Sequence, residues 1–264
     1  RAGGGDGRTD KQDLRRLRRQ ALCGAAWPEK ALRRADRKAP ADRRRAGYRT
    51  SSGVRTEMKI ELFVTGIIST NCYIVSNEET KEAIIIDPAG MTKKMIAYIE
   101  EEGLKLQAIL LTHGHFDHIM GIDKTIETFG EMPIYVEEHD LALLNNADQN
   151  ESMIYTSGYS HPGGNVIHDG DVLSFIGHDF QVIHTPGHTA GGVCYYVADE
   201  GVLFSGDTLF RCSVGRFDFA TSSKEDLIHS VKDKLFLLPD ETNVLPGHSH
   251  PTTIGYEKEH NPYV

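Results

Sequence analysis

The sequence predicts an α/β domain in which two sheets pack face to face and helices cover both outer faces. Three observations point to it. Short strand-like runs begin at about residue 58 and give way to amphipathic helical stretches, in the order β runs, α, β runs, α. The segment 58–264 is long enough to bury one sizeable core. Histidines and aspartates gather where strands end beside Gly or Pro, the place where a rigid scaffold presents a site.

Composition separates this segment from what precedes it. Residues 1–57 hold 17 Lys+Arg against 7 Asp+Glu, and 14 of the 17 are Arg. Residues 58–264 hold 12 against 31, a net −19, with 2 Arg and 10 Lys. The Gly-, Ala- and Arg-rich stretch 1–57 reads as a disordered basic extension, with one basic patch at Leu14–Leu22. A targeting peptide or a nucleic-acid or membrane-surface arm would also be basic, but seven acids are scattered through it. The switch in Arg/Lys usage and the strand that opens at Met58 favour a third reading, in which 1–57 is non-native and Met58 is the natural start. A body at −19 has no footprint for nucleic acid. No apolar run approaches the roughly 20 residues of a membrane helix. Cys23, Cys72, Cys194 and Cys212 form no C-x-x-C pair, which reads as reduced thiols in a cytoplasmic protein.

From Met58 the elements follow in order. Lys59–Val64, Asn71–Val75 and Ala83–Ile86 form an opening β meander that ends in Asp87-Pro88. Met91–Glu102 is an amphipathic helix with Met91, Met95, Ile96 and Ile99 on one stripe and Gly103 as its stop. Leu106–Leu111 is a buried strand. A helix spans about 119–129, Pro133–Val136 is a short strand, and Glu137–Asn145 is a helix. Ala147–Asn165 is a long irregular loop, and Asp171–Thr185 a hairpin around Gly177-His178-Asp179. Gly192–Val197 and Val202–Phe204 are strands. A helix over 224–237 turns Leu227, Ile228, Val231 and Leu235 inward behind the capping box Ser222-x-x-Glu225, and Asn243–Leu245 is a final strand.

The densest chemistry lies at 112–121, directly after the buried strand. His113 and His115 alternate, so on an extended backbone they point the same way. Asp117 and His118 follow where the chain turns toward a helix and can face a second point, so one loop could serve two metal ions. Four further stretches place a ligand type at a strand end: Ile86-Asp87-Pro88, Thr185-Pro186-Gly187-His188-Thr189, Ser205-Gly206-Asp207-Thr208 and Pro246-Gly247-His248. Imidazole and carboxylate without thiolate suit Zn, Fe or Mn.

The order H-x-H-x-D-H, T-P-G-H-T, G-D-T-L-F, P-G-H resembles the metallo-β-lactamase superfamily over essentially all of 58–264. The resemblance implies a four-layer αββα sandwich with two divalent ions, zinc first, in a cleft at one edge of the sheets. It implies that His113, His115 and His188 hold one ion, that Asp117, His118 and His248 hold the other, and that Asp207 bridges them. Two such ions would activate a shared water as hydroxide and polarise the carbonyl it attacks. Asp117 could also orient that water. No G-x-S-x-G motif offers a covalent alternative.

Within the superfamily, Asp207 and His118 stand where β-lactamases of the commonest type carry other residues, and His115 stands where flavodiiron proteins carry an acid. What remains is similar to glyoxalase II (hydroxyacylglutathione hydrolase) and its short single-domain relatives. The carriers of that likeness are Gly206–Phe210, Ser213–Phe219 and the ending Pro246-Gly247-His248, Thr252–Gly255, Asn261-Pro262. The resemblance implies a small-molecule thioester such as S-lactoylglutathione as substrate. Two departures stand out: the sequence runs only three residues past Asn261, where glyoxalase II carries a helical C-terminal domain, and Val214-Gly215-Arg216 replaces a Cys-Gly-Lys element. Arg216, one of two arginines in the body, is expected either to grip a substrate carboxylate or to pair with Asp218. Tyr155 and Tyr159 are candidates for the cleft wall, His184 for a support of the ligand turn, and Asp87 for a support rather than a ligand. A mononuclear iron persulfide dioxygenase and a lactonase or other ester hydrolase are the competing activities.

Overall fold

The computed structural model describes residues 58–264; the reading of 1–57 as a basic extension lies outside them. The first sheet is built from β1 (Met58–Thr65), β2 (Thr70–Asn77), β3 (Glu82–Ile86), β4 (Lys105–Leu110), β5 (Ile134–Glu137) and β6 (Asn165–Ile167), in that spatial order. Its first three strands form the expected antiparallel meander, and β3 to β6 run parallel. The second half supplies β7 (Val172–Phe175), β8 (His178–His184), β9 (Val193–Val197), β10 (Val202–Gly206), a small hairpin of β11 (Leu209–Phe210) and β12 (Ser213–Val214), then β13 (Asn243–Pro246) and β14 (Thr252–Thr253). Six of these make the second sheet, ordered β14-β13-β10-β9-β8-β7.

The period of two along the strands explains the layering. Tyr73, Ile84, Ile86 and Leu110 face inward and meet Phe180, Tyr195, Phe204 and Leu245 of the other sheet. The alternate residues Cys72, Ile74, Ala83 and Ile85 face outward under helix α1 (Lys93–Glu102), which presents Met95 and Ile99. Thr92 caps α1 by accepting from the Met95 N–H, and Gly103 ends it at φ 65°. Strands β2 and β3 are thus apolar on both faces, and each fully buried Ile contributes about 1.5–3 kcal/mol. The same outer face carries α2 (Phe116–Ile119), α3 (Ile122–Phe129) and α4 (Leu141–Leu144), and the stretch expected as an irregular loop contains α5 (Ser152–Tyr155). Ile109, Leu111, Ile119, Ile122 and Leu144 make the second cluster of that face. The outer face of the second sheet is covered by α6 (Lys224–His229) and α7 (Ile254–His260), with Leu227, Val231, Leu235 and Ile254 against Leu203 and Val244. The expected αββα sandwich is the observed fold.

Local differences have local causes. The helix expected over 119–129 breaks at Gly121, whose N–H donates to Pro88 O at 2.7 Å. A Cβ at Gly121 would lie 2.5 Å from that oxygen, so this close approach requires glycine. The stretch 224–237 changes pitch, with α6 followed by a π turn (Ser230–Lys234) and a 3₁₀ turn (Leu235–Leu237). Its cap is Ser223, which accepts from the Asp226 N–H, while Ser222 Oγ accepts from the Phe219 N–H at 3.2 Å and donates to His188 O at 2.7 Å. The β7–β8 turn sits at Ile176-Gly177, both at positive φ. Glu137–Asn145 divides into a 3₁₀ turn (Glu138–Asp140) and α4. β6, β14, α7 and the β11–β12 hairpin were not expected. Cys72 and Cys194 are free buried thiols as expected. No helix among the described residues is long and apolar enough to cross a membrane.

Candidate metal centre

The site forms where β3, β4, β8, β10 and β13 end and β2 begins. Leaving β4, the chain places His113 and His115 in extended geometry and then turns into α2, whose first residues include Asp117 and His118. His188 comes from the turn after β8, Asp207 from the end of β10, and His248 from the end of β13. β10 and β13 pair in parallel, and the Gly247 N–H donates to Gly206 O at 2.8 Å, so Asp207 and His248 are delivered side by side.

All seven expected ligand residues meet. Ligand atoms of His113, His115 and His188 lie within 4.8 Å of one another, as do those of His113, His118 and Asp207, and those of Asp117, His118 and His248. His115 Nδ1 is 2.9 Å from His188 Nε2. His118 Nε2 lies 3.3 Å from Asp117 Oδ2 and 3.4 Å from Asp207 Oδ1, and His248 Nε2 lies 3.2 Å from Asp117 Oδ2 and 3.5 Å from Asp207 Oδ2. A tetrahedral ion with bonds of about 2.0–2.1 Å sets its ligands roughly 3.3 Å apart, which these separations match. His113 Nε2, His118 Nε2 and Asp207 Oδ1 are buried without a hydrogen-bond partner. Polar atoms in that position are costly unless something else satisfies them. The residues fit divalent cations.

Outside contacts hold each ring. Asp87 Oδ2 lies 2.9 Å from His118 Nδ1, and the same carboxylate accepts from the Thr112 N–H at 2.7 Å and the Thr112 hydroxyl at 2.6 Å. Asp87 is therefore a support of the site, as expected. The backbone carbonyl of Arg216 takes the Nδ1 hydrogen of His188 at 2.8 Å, leaving Nε2 for an ion. Thr70 donates to Asp117 Oδ2 at 2.6 Å. Asn71 Nδ2 donates to Pro246 O and Ser249 O and thereby clamps the His248 turn. Asp140 is fully buried and accepts from the Gly114 N–H, the Thr189 hydroxyl and the Gly191 N–H, which ties the histidine loop to the His188 turn. Thr70, Asn71 and Asp140 escaped the sequence reading because no local pattern marks them. Their partners lie 26 to 178 residues away.

Burial and neighbouring charge set the protonation states. Burial, reinforced by adjacent imidazoles, lowers the pKa of His113 well below its ordinary value and that of His115 to about 3. Both are neutral, the state a ligand needs. Burial works against a charge on His118, but Asp117, Asp87 and Asp207 raise its pKa well above the ordinary value. Burial likewise opposes ionisation of Asp117, which the neighbouring charge of His118 nonetheless holds well below the usual carboxylate range. Burial pushes the Asp140 carboxyl up to about 6.

The centre opens into a cleft walled by Ile68, Phe116, Tyr155, Phe210 and Phe219, with Arg216 at its side. Tyr155 stacks on Phe116 with centroids 4.9 Å apart. Tyr159 does not reach the cleft and packs into the cluster beneath α3. The fork of Arg216 makes two 2.9 Å bonds to Asp218 and lies over the Phe219 ring, so the structure adopts the Asp218 pairing. His184 meets no ligand; its Nε2 is 2.8 Å from Ala190 O. Gly215 lies against Asp207, where a Cβ would come 1.9 Å from Asp207 O.

Comparison with known proteins agrees with this geometry. Hydroxyacylglutathione hydrolase GloC of Haemophilus influenzae is 34% identical over 209 residues, covering 78% of this chain and 98% of that protein. The crystal structure of BLEG-1 B3 metallo-beta-lactamase superposes with a TM-score of 0.72 at 38% identity, covering 77% of this chain and 98% of that one. The structure of TTHA1623 in a di-iron-bound form gives 0.69 at 35% identity, over 77% and 100%. The family model described as Metallo-beta-lactamase superfamily matches residues 65–248, a span that takes in all seven ligand candidates. With its sandwich, its strand-end ligands and this match, the chain belongs to the metallo-beta-lactamase superfamily.

Proposed function

We propose that this metal-dependent hydrolase holds two ions and cleaves thioesters, with S-lactoylglutathione as the test substrate. The observation that carries the reading is the meeting of five imidazoles and two carboxylates at the floor of a cleft that, among the described residues, is lined by no serine, threonine, cysteine or lysine. Divalent ions held by His113, His115, His188, Asp207, Asp117, His118 and His248 would supply an activated water and polarise the carbonyl under attack. The chain's own groups do the rest. Asp117, fixed by the Thr70 hydroxyl, stays ionised at the cleft floor and is placed to orient the attacking water. Phe116, Tyr155, Phe210 and Phe219 exclude bulk water from the acyl group. Arg216 offers a cation that a substrate carboxylate would take over from Asp218. The likeness to GloC supports the thioester, and the likeness to di-iron TTHA1623 supports two ions while favouring iron as much as zinc.

Metal counting and a substrate panel on the purified chain test this reading. Two ions per chain with turnover of S-lactoylglutathione are expected. One iron per chain with oxygen uptake on glutathione persulfide would overturn it in favour of a dioxygenase. A second reading, β-lactam hydrolysis, rests on the 38% identity to BLEG-1, so the panel includes a chromogenic cephalosporin. Turnover of the cephalosporin alone would replace the thioester reading.

A further inference from the structure

We propose a second, peripheral metal site at Glu137, His139 and His184 that binds a divalent transition ion of the zinc class. It lies apart from the seven-residue centre and does not depend on which reaction that centre performs.

One ligand atom from each of the three residues lies within 4.8 Å of the others. Glu137 ends β5, and its side chain is almost wholly buried. Oε2 accepts the His139 N–H at 2.7 Å, and both oxygens lie about 3 Å from His139 Nδ1. The carboxylate is wedged against Gly191, where a Cβ would come 2.6 Å from Oε2, so it has little room to turn away. No lysine or arginine pairs with it among the described residues; its ion-pair partner is His139.

His184 is the other half. A carbonyl oxygen only accepts, so the 2.8 Å contact with Ala190 O puts the hydrogen on Nε2 and leaves the lone pair on Nδ1. An imidazole tied to a backbone carbonyl through one nitrogen is the usual preparation of a metal-binding histidine. The rings of His139 and His184 lie nearly parallel, 10° apart, with centroids separated by 5.8 Å. The His139 side chain is 59% exposed, so an ion has an entry path and a water can complete its coordination. Two imidazoles and one carboxylate favour zinc, copper or nickel over magnesium or calcium.

The position gives such an ion a structural effect. Glu137 belongs to the first sheet and His184 to the second. An ion shared between them would clamp the two sheets together beside the Asp140 brace and the His188 turn.

Equilibrium dialysis of the full chain against buffered Zn²⁺, followed by elemental analysis, tests the site. The unsubstituted chain should hold one more Zn²⁺ than His139→Ala or His184→Ala, while Asp207→Ala, which disrupts the main centre, should keep the peripheral ion. Zn²⁺ should raise the melting temperature of Asp207→Ala, and that rise should vanish in Asp207→Ala/His139→Ala. His139→Gln, at an exposed position, serves if the other changes impair folding. Equal Zn²⁺ content in the unsubstituted chain and both histidine variants, with the melting shift retained in the double variant, would overturn the proposal.

Discussion

Asp87 Oδ2 and His118 Nδ1 are 2.9 Å apart, with both side chains almost wholly buried. The pair joins the end of β3 to the start of α2, and its geometry follows from an aspartate at φ 52°. That left-handed backbone is tolerated in Asp more readily than in most residues. It turns the carboxylate so that one side chain serves both the Thr112 backbone and His118.

The first prediction concerns this pair. Asp87→Ala should remove the group that fixes the His118 tautomer and should weaken metal retention by about 10–100-fold. Dialysis against a graded series of chelator, with metal counting, measures it. Unchanged retention would separate Asp87 from the centre.

Two glycines should resist even the smallest side chain. At Gly187, φ is 139° and a Cβ would lie 2.3 Å from Leu227 Cα; at Gly215 it would lie 1.9 Å from Asp207 O. Gly187→Ala should cost about 1–3 kcal/mol or more through overpacking, seen in denaturant melts. Gly215→Ala should act mainly on Asp207, lowering metal content more than it lowers stability.

Asp140 predicts a pH dependence. Its folded pKa, about 6, is raised above the ordinary 3.8. The folded state therefore holds this proton more tightly, and the resulting stabilisation is fully present below about pH 4 and is lost as pH rises through about 6. Asp140→Asn cannot titrate. The melting temperature of the unsubstituted chain minus that of the variant should fall between pH 4 and 7, whatever the constant offset from altered hydrogen bonds. A flat difference would show that the carboxyl is not shifted.

Arg216 separates binding from chemistry. If a substrate carboxylate displaces Asp218, Arg216→Ala should raise KM several-fold for a carboxylate-bearing thioester and leave kcat near its original value. It should leave KM unchanged for a neutral thioester. Equal effects on both substrates would confine Arg216 to its pairing with Asp218.

Much of this was legible in the chain. Unbroken apolar runs in β2, β3 and β4 reveal strands buried on both faces, because a strand between two layers has no polar side. Gly103 marks the end of α1, and the spacing of Met95 and Ile99 marks its buried stripe. His113, His115, Asp117 and His118 announce a ligand loop because their spacing is local. His188, Asp207 and His248 could be joined to it only through resemblance, since they lie 70 to 135 residues further on.

Other features had no local signal. The break at Gly121 depends on Pro88, the cap at Ser223 on Ser222 accepting from Phe219 and donating to His188 instead, and the role of Asp140 on donors from two distant loops. The fork of Arg216 had two possible partners in the sequence, and the structure placed Asp218 within reach of it. Local spacing determined the strands, the buried stripe and the histidine loop, because backbone geometry repeats every two or 3.6 residues. Tertiary structure decided which distant donors meet which acceptors, because a buried hydrogen bond depends on ångström-scale placement of segments whose sequences carry no trace of one another.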